Sequence, residues 1–229
     1  MSEAVFPTLL EAATRVLDEA GVPAPTSAIA TATRNSRSAV NALNDALEDI
    51  YTRWEWPWLR RVQVENLITN QGDYPVPDFF NRLDGYLKIG DQHFLEKTPY
   101  EFERDIVQAP SVTNLYGVYG FFCVVDNVIR LSFIPNDAQV ASNPTFQYTY
   151  VRGVPNRITA DTDRLDLPRS FYRATVLYAR SKVKQLLEYP DYAADMQEYE
   201  KTIMDLLRVG RKGFRQPVIK GPFRMGRSR

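Results

Sequence analysis

Residues 52–61 read TRWEWPWLRR, and the architecture turns on them. Ahead of Pro57 the apolar residues keep helical spacing: Val40, Leu43, Leu47, Ile50 and Trp54 recur at steps of three and four. Past Pro57 the period becomes two, with Val62 and Val64 alternating with Gln63 and Glu65 as in a strand. A helix therefore ends and a sheet begins within these ten residues. The chain's three tryptophans, Trp54, Trp56 and Trp58, all stand at that change. Trp54 completes the helical stripe, while Trp56 and Trp58 flank the proline. Two roles are open for these rings. They fill a seam between helical and β parts, or Trp56 and Trp58 present an interface to a partner, since Trp is enriched where binding energy concentrates.

Upstream, Thr8-Leu-Leu-Glu11 reads as a capping box, and Leu9, Leu10, Ala13, Val16, Leu17 and Ala20 continue as a helical stripe. Gly21, Pro23 and Pro25 stop it. Ala39, Ala42 and Ala46, beside the second stripe, allow close helix packing. Downstream, YLKIGDQHFLE predicts a hairpin turning at Gly90-Asp91, with Gly first as a type II′ turn prefers. FFCVVDNVIRLSFIP predicts another at Asp126-Asn127, TPYEFERDI a short helix, and TFQYTYV a strand with Phe146, Tyr148 and Tyr150 on one face. Helices return after VRGVPNRITADTDRLDL, with Asp166 as a candidate cap and Pro168 in the first turn. A last helix after Asp191 carries Tyr192, Met196, Tyr199, Ile203 and Leu206 on one stripe.

This order predicts an α+β protein: an antiparallel helical bundle from the N- and C-terminal helix pairs, an inserted antiparallel β-rich region, and an extended C-terminal arm. The segments are 1–56 (N-terminal helices), 57–152 (β-rich insertion), 153–207 (C-terminal helices) and 208–229 (basic arm).

At 229 residues the chain buries roughly 70% of its unfolded surface, and 44% apolar with 24% charged residues is ordinary for a globular protein. The first residues, MSEAVFPTLLEAATRVL, carry an acidic side chain where a signal peptide has a basic region. The longest apolar run, Tyr116 to Val125, is too short to span a bilayer, so no membrane association is expected. Net charge is zero but segregated. Eight of the 28 basic residues and none of the 28 acidic ones lie from Arg208 onward, which gives the body a formal −8 and the tail +8.

Catalytic signatures are sparse. Cys123 and His93 are the sole residues of their types, which excludes disulfides, Cys-rich metal sites and multi-histidine metal sites. His93 lies in a hairpin with no nucleophile elbow in the sequence. Asp161, Asp163 and Asp166 suggest a calcium loop, but Leu165 and Asp166 stand where an EF-hand needs an oxygen ligand and a glycine. GVYGFF and GRKGF lack the remaining residues of phosphate-binding loops. The expectation is a structural or binding protein with no enzymatic activity and no cofactor.

The tail is the remaining binding candidate. Arg208, Arg211, Lys212, Arg215, Lys220, Arg224 and Arg227 alternate with Gly and Pro and with spaced apolar residues, Phe214, Val218, Ile219, Phe223 and Met225. Three readings compete: a solvated tail, a nonspecific nucleic-acid arm, and an arm that orders on a protein partner. Five apolar anchors do not offset the entropy of ordering so long a backbone. Docking therefore also requires backbone pairing, charge contacts, or many copies acting together.

Taken in order, WEWPWLRRVQVENLITNQGDYPVPDFFNRLDGYLKI, VVDNVIRLSFIP and DRLDLPRSFYRATVLYARSKVKQLLEYPD resemble the head-to-tail adaptors of tailed bacteriophages, the tail-tubular or head-completion class. Gly72, Tyr74, Pro77, Phe80 and Arg82 carry the first part of the likeness. Asp163, Leu165, Leu167, Pro168 and Phe171 carry the last. The resemblance implies a structural protein of the virion neck: a homo-oligomeric ring, usually of twelve subunits, beneath the portal protein. It implies a downstream tail or nozzle protein, DNA passing through the lumen without sequence-specific binding, and a C-terminal arm that reaches the portal. The alternatives are a nucleic-acid-binding protein that uses the arm and, less favoured, a hydrolase whose carboxylates the sequence does not locate.

Overall fold

The computed structural model describes residues 7–24, 33–108 and 120–213. Among them are six α-helices: α1 (Leu9–Glu19), α2 (Arg34–Arg53), α3 (Pro99–Gln108), α4 (Asp137–Ser142), α5 (Tyr172–Leu186) and α6 (Tyr192–Gly213). Seven strands, β1 (Arg60–Asn66), β2 (Asp73–Pro75), β3 (Phe80–Ile89), β4 (Gln92–Glu96), β5 (Phe121–Val125), β6 (Val128–Leu131) and β7 (Thr145–Arg152), form one sheet. The fold is mixed α+β. It divides into two compact units, one from the described parts of 1–50 and 157–229, the other from those of 51–156.

In the first unit α1 starts as its sequence dictates. The Thr8 hydroxyl accepts from the Glu11 N–H while Glu11 accepts from the Thr8 N–H, the reciprocal capping box. Its end is a glycine cap: Gly21 takes φ +74°, and Val22 N–H donates to Leu17 O at 2.9 Å. Leu9, Ala12, Ala13, Val16 and Leu17 are buried. Helix α1 packs on α5, and α5 on α6. In α2 the three alanines and Val40, Leu43, Leu47 and Ile50 are buried.

The connection at 157–167 is held to both N-terminal helices. Asn44, buried on α2, accepts from Ile158 N–H at 2.9 Å and donates to Ile158 O at 3.0 Å. Leu9 and Leu10, whose N–H groups have no partner within α1, donate to Asp163 O at 2.7 Å and Asp161 O at 3.2 Å. The Asp163 carboxylate accepts from the Ala160 and Thr159 N–H groups, which hold its pKa below the usual aspartate range. The acidic run is thus a turn that seats the first helix.

Two expectations fail here. Asp166 does not cap the next helix: Pro168 is the N-cap of a short 3-10 turn, Arg169–Phe171, with no side-chain cap, and α5 follows from Tyr172. Pro168 thus precedes the helical turn instead of standing within it, because Leu165 and Leu167 are buried and draw the approach inward. The last helix also runs past 207 to Gly213, so Arg208–Gly213 are helical, not extended. Arginine and lysine are strong helix formers and suit the negative end of the helix dipole. Two glycines at about 1 kcal/mol each do not stop an already nucleated helix.

In the second unit the strand order is β1-β7-β3-β4-β5-β6-β2. All pairs are antiparallel except β4–β5, whose parallel connection contains α3. Both predicted hairpins form. Ile89 faces Gln92 across Gly90-Asp91, with Gly90 at φ +56°. Val125 faces Val128 across Asp126 and Asn127, both at positive φ as a type I′ turn requires. Thr98 caps α3 through a reciprocal pair with Glu101. Leu83 and Leu87 of β3 face Tyr150 and Tyr148 of β7, so β3 bulges by two residues around Gly85, which takes φ +115°.

The sheet's buried face is aromatic. Phe146 stacks on Tyr148 at 5.9 Å and meets Tyr74 edge-on at 4.8 Å. Tyr148 is 1% exposed, and its hydroxyl has no hydrogen-bond partner among the described residues. Burial, with the neighbouring Glu65 charge, pushes its pKa well up. A buried hydroxyl without a partner costs about 1–3 kcal/mol of desolvation. Tyr148→Phe is therefore expected to raise the unfolding free energy by about 1 kcal/mol in urea denaturation, against the usual direction for core substitutions.

Strand β1 forms as its alternation predicts, with its polar residues turned inward. Gln63 and Glu65 pair with Tyr148 and Phe146 and point to the aromatic face, where the Gln63 amide donates to Glu65 at 2.7 Å. Val62 and Val64, opposite Thr149 and Gln147, stand 60% and 56% exposed. The pleat of β7 fixes which β1 residues turn inward, and the aromatics of β7 outweigh two valines at the sheet's margin.

Candidate functional site

The predicted binding arm begins on the last turns of α6. Arg208 is exposed and pairs with Asp205 one turn back at 3.2 Å, and Val209 beside it is exposed. Arg211 and Lys212 follow on the same helix. Phe214, Arg215, Val218, Ile219, Lys220, Phe223, Arg224, Met225 and Arg227 lie outside the described residues.

The tryptophans separate. Trp56 is 2% exposed, and Trp58 is half-buried with its ring edge-on to Tyr51 at 5.0 Å. Trp54, expected to complete the buried stripe of α2, is 44% exposed. Helix α2 ends at Arg53, one residue short of the fifth stripe position, so Trp54 leaves the helical register and turns outward. Trp56 N–H bonds Trp54 O at 2.8 Å, and Pro57 opens a 3-10 turn that delivers Arg60 to the sheet. Of the three rings Trp54 is the most exposed.

Within the second unit Trp54 lines a cleft of about 450 Å³ with Arg53, Glu55, Arg82 and Arg152. Glu55 pairs with Arg82, and the Arg152 guanidinium lies over the Phe79 ring at 5.1 Å. The cleft lining thus combines guanidinium groups, a carboxylate and an exposed indole. The sequence likeness singled out Arg82, but nothing local in the sequence joins it to Arg53 and Arg152. The bulged pairing of β3 with β7 brings Arg82 and Arg152 to neighbouring positions.

The sole histidine and the sole cysteine lie on β4 and β5. His93 stacks on Tyr86 at 4.0 Å. Cys123 is buried, and burial pushes its thiol pKa up, away from a reactive thiolate. Among the described residues no three His, Cys, Asp or Glu side chains converge to hold a metal ion. No helix among them is long and apolar enough to cross a membrane.

Two comparisons with known proteins bear on these surfaces. A family model described as SU10 adaptor protein matches residues 7–221. No curated protein matches the chain.

Proposed function

Since this chain belongs to the SU10 adaptor protein family, and is on that ground a phage adaptor and a virion component, we propose that it is the subunit of a ring that joins the capsid portal to the tail. The helices of the first unit form the ring wall as an antiparallel bundle. The β-rich unit meets the downstream tail or nozzle protein, and DNA passes through the lumen without sequence-specific contacts. Twelve copies close the ring, each meeting its neighbours through two different surfaces, as a cyclic head-to-tail assembly demands. The basic segment from Arg208 onward docks on the portal, with Phe214, Val218, Ile219, Phe223 and Met225 as apolar anchors and the intervening arginines and lysines as charge contacts.

The observation that carries this reading is the span of the family match. It takes in both helical segments, the β region between them and the basic tail as far as Gly221. The segregated charge supports it, because an acidic body avoids holding DNA while a cationic tail suits acidic grooves on a partner. Removing residues 214–229 leaves α6 whole, so its far-UV circular dichroism should keep the helical signal. The truncated protein should no longer co-sediment with portal rings. Undiminished portal affinity overturns the docking role. Steeply salt-dependent DNA binding by the isolated full chain, lost on the same truncation, would assign the tail to nucleic acid instead.

A further inference from the structure

Strand β1 is an edge of the sheet, paired with β7 along all seven residues and with no strand on its other side among the described residues. It contains no proline, glycine or bulge. The opposite edge, β2, is three residues long and contains Pro75. Natural sheets blunt their edges by shortness, proline, bulges or charge. By that standard β2 is protected by shortness and proline, while β1 has charge alone, in Arg60, Arg61 and Glu65, and displays Val62 and Val64 to solvent. A second copy of the same strand fits it. Set antiparallel about Gln63, the sequence Arg-Val-Gln-Val-Glu of residues 61–65 is its own complement. Arg61 meets Glu65, Val62 meets Val64, and Gln63 meets Gln63.

The sides agree as well. In the β1–β7 register Arg61, Gln63 and Glu65 share one face and Val62 and Val64 the other. Two-fold pairing would place both Arg–Glu pairs on one side of the joined sheet and the four valines together on the other. Arg61 has no ion-pair partner among the described residues of its own chain, whereas Arg60 is bound to Asp84 at 2.8 Å.

We infer that two copies of this protein pair through β1 about a two-fold axis at Gln63, forming one continuous sheet across the interface. Such an isologous contact is distinct from the head-to-tail contacts of a ring, so it belongs to the free protein and caps the edge outside the assembly. It does not depend on the adaptor reading.

Sedimentation of the full chain tests it. The wild type should form dimers. R61E and E65R each set like charges opposite one another at both ends of the pairing, and each should raise the dimer dissociation constant by about tenfold or more. The R61E/E65R double variant restores opposite charges and should restore the dimer. Arg61 is exposed and Glu65 half-buried on the edge strand, and unchanged circular dichroism verifies the fold of each variant. In addition, Gln63→Cys should form a disulfide-linked dimer under mild oxidation, with the buried Cys123 unreacted. A wild type without dimers, association of any stoichiometry that the single variants leave unchanged, or a double variant that stays apart overturns the inference. None of these results bears on portal binding by the tail.

Discussion

Replacing Asp195 with alanine is expected to lower the unfolding free energy by about 3 kcal/mol, near the lower end of what breaking a buried ion pair costs. Asp195 is the centre of a network that ties α1, α5 and α6 together. Arg180 of α5 grips it with two guanidinium nitrogens, one at 2.8 Å, and reaches Glu19 of α1 at 2.7 Å. Lys184, one turn along α5, lies 3.1 Å from Asp195 and also pairs with Asp191. Arg180, Lys184 and Asp195 are largely withdrawn from water. Burial opposes the charge on Arg180, yet Asp195 and Glu19 outweigh it and hold its pKa above the ordinary value.

Removing Asp195 leaves two partly buried cations facing each other with only peripheral partners, Glu19 and Asp191. The loss is therefore an uncompensated charge, not a missing contact. Urea denaturation measures it directly, and Asp195→Asn, which keeps the shape and one acceptor, should lose less. The combined change R180M/D195L should recover part of the deficit, because apolar side chains of similar volume need no counter-charge. A D195A variant as stable as the wild type would show that solvent reaches this network.

The second large effect is steric. A Cβ added at Gly120 would stand 2.0 Å from Phe94 Cε1 and 2.3 Å from its Cδ1. Phe94 is buried in the aromatic core of the sheet, 5.7 Å from the Phe133 ring, and it can yield only toward the cleft of about 200 Å³ that both rings line, giving up that burial. Gly120 is fixed as well, since its carbonyl accepts from Leu95 N–H beside the parallel β4–β5 pair. Overpacking of a well-filled core costs about 1–3 kcal/mol and occasionally more. Gly120→Ala belongs at the top of that range, near 3 kcal/mol. A double-mutant cycle isolates the cause. Phe94→Ala alone costs about 3–5 kcal/mol by emptying the core, and G120A added to it should cost almost nothing further. Additive losses would mean that the backbone at Gly120 matters for another reason.

Much of this chain is legible locally. The capping box at Thr8 and Glu11, the stop at Gly21, both two-residue turns and the aromatic face of β7 each depend on residues a few positions apart, and each forms as read. Local reading failed where the deciding partner is distant in sequence. The alternation of β1 marks a strand correctly but not its inward face, because the phase comes from pairing with β7. The helical stripe extends in pattern to Trp54, but the helix ends at Arg53. The Arg82–Arg152 cleft and the Arg180–Asp195–Lys184 network show no spacing signal, since cations on helices and strands read as solvated faces until another element covers them.

The amino-acid order alone determined where helix gives way to sheet and back again, where the turns fall, and how charge divides between body and tail. These follow from periodicity, φ preferences and composition, which act over one or two turns of chain. Only the tertiary structure decided which tryptophan is exposed, which side of the edge strand meets water, and which charges are buried together. Those outcomes depend on competition for a limited buried volume among segments far apart in the chain. Within the sheet the aromatics of β7 occupy that volume, and Val62 and Val64 are left at the surface.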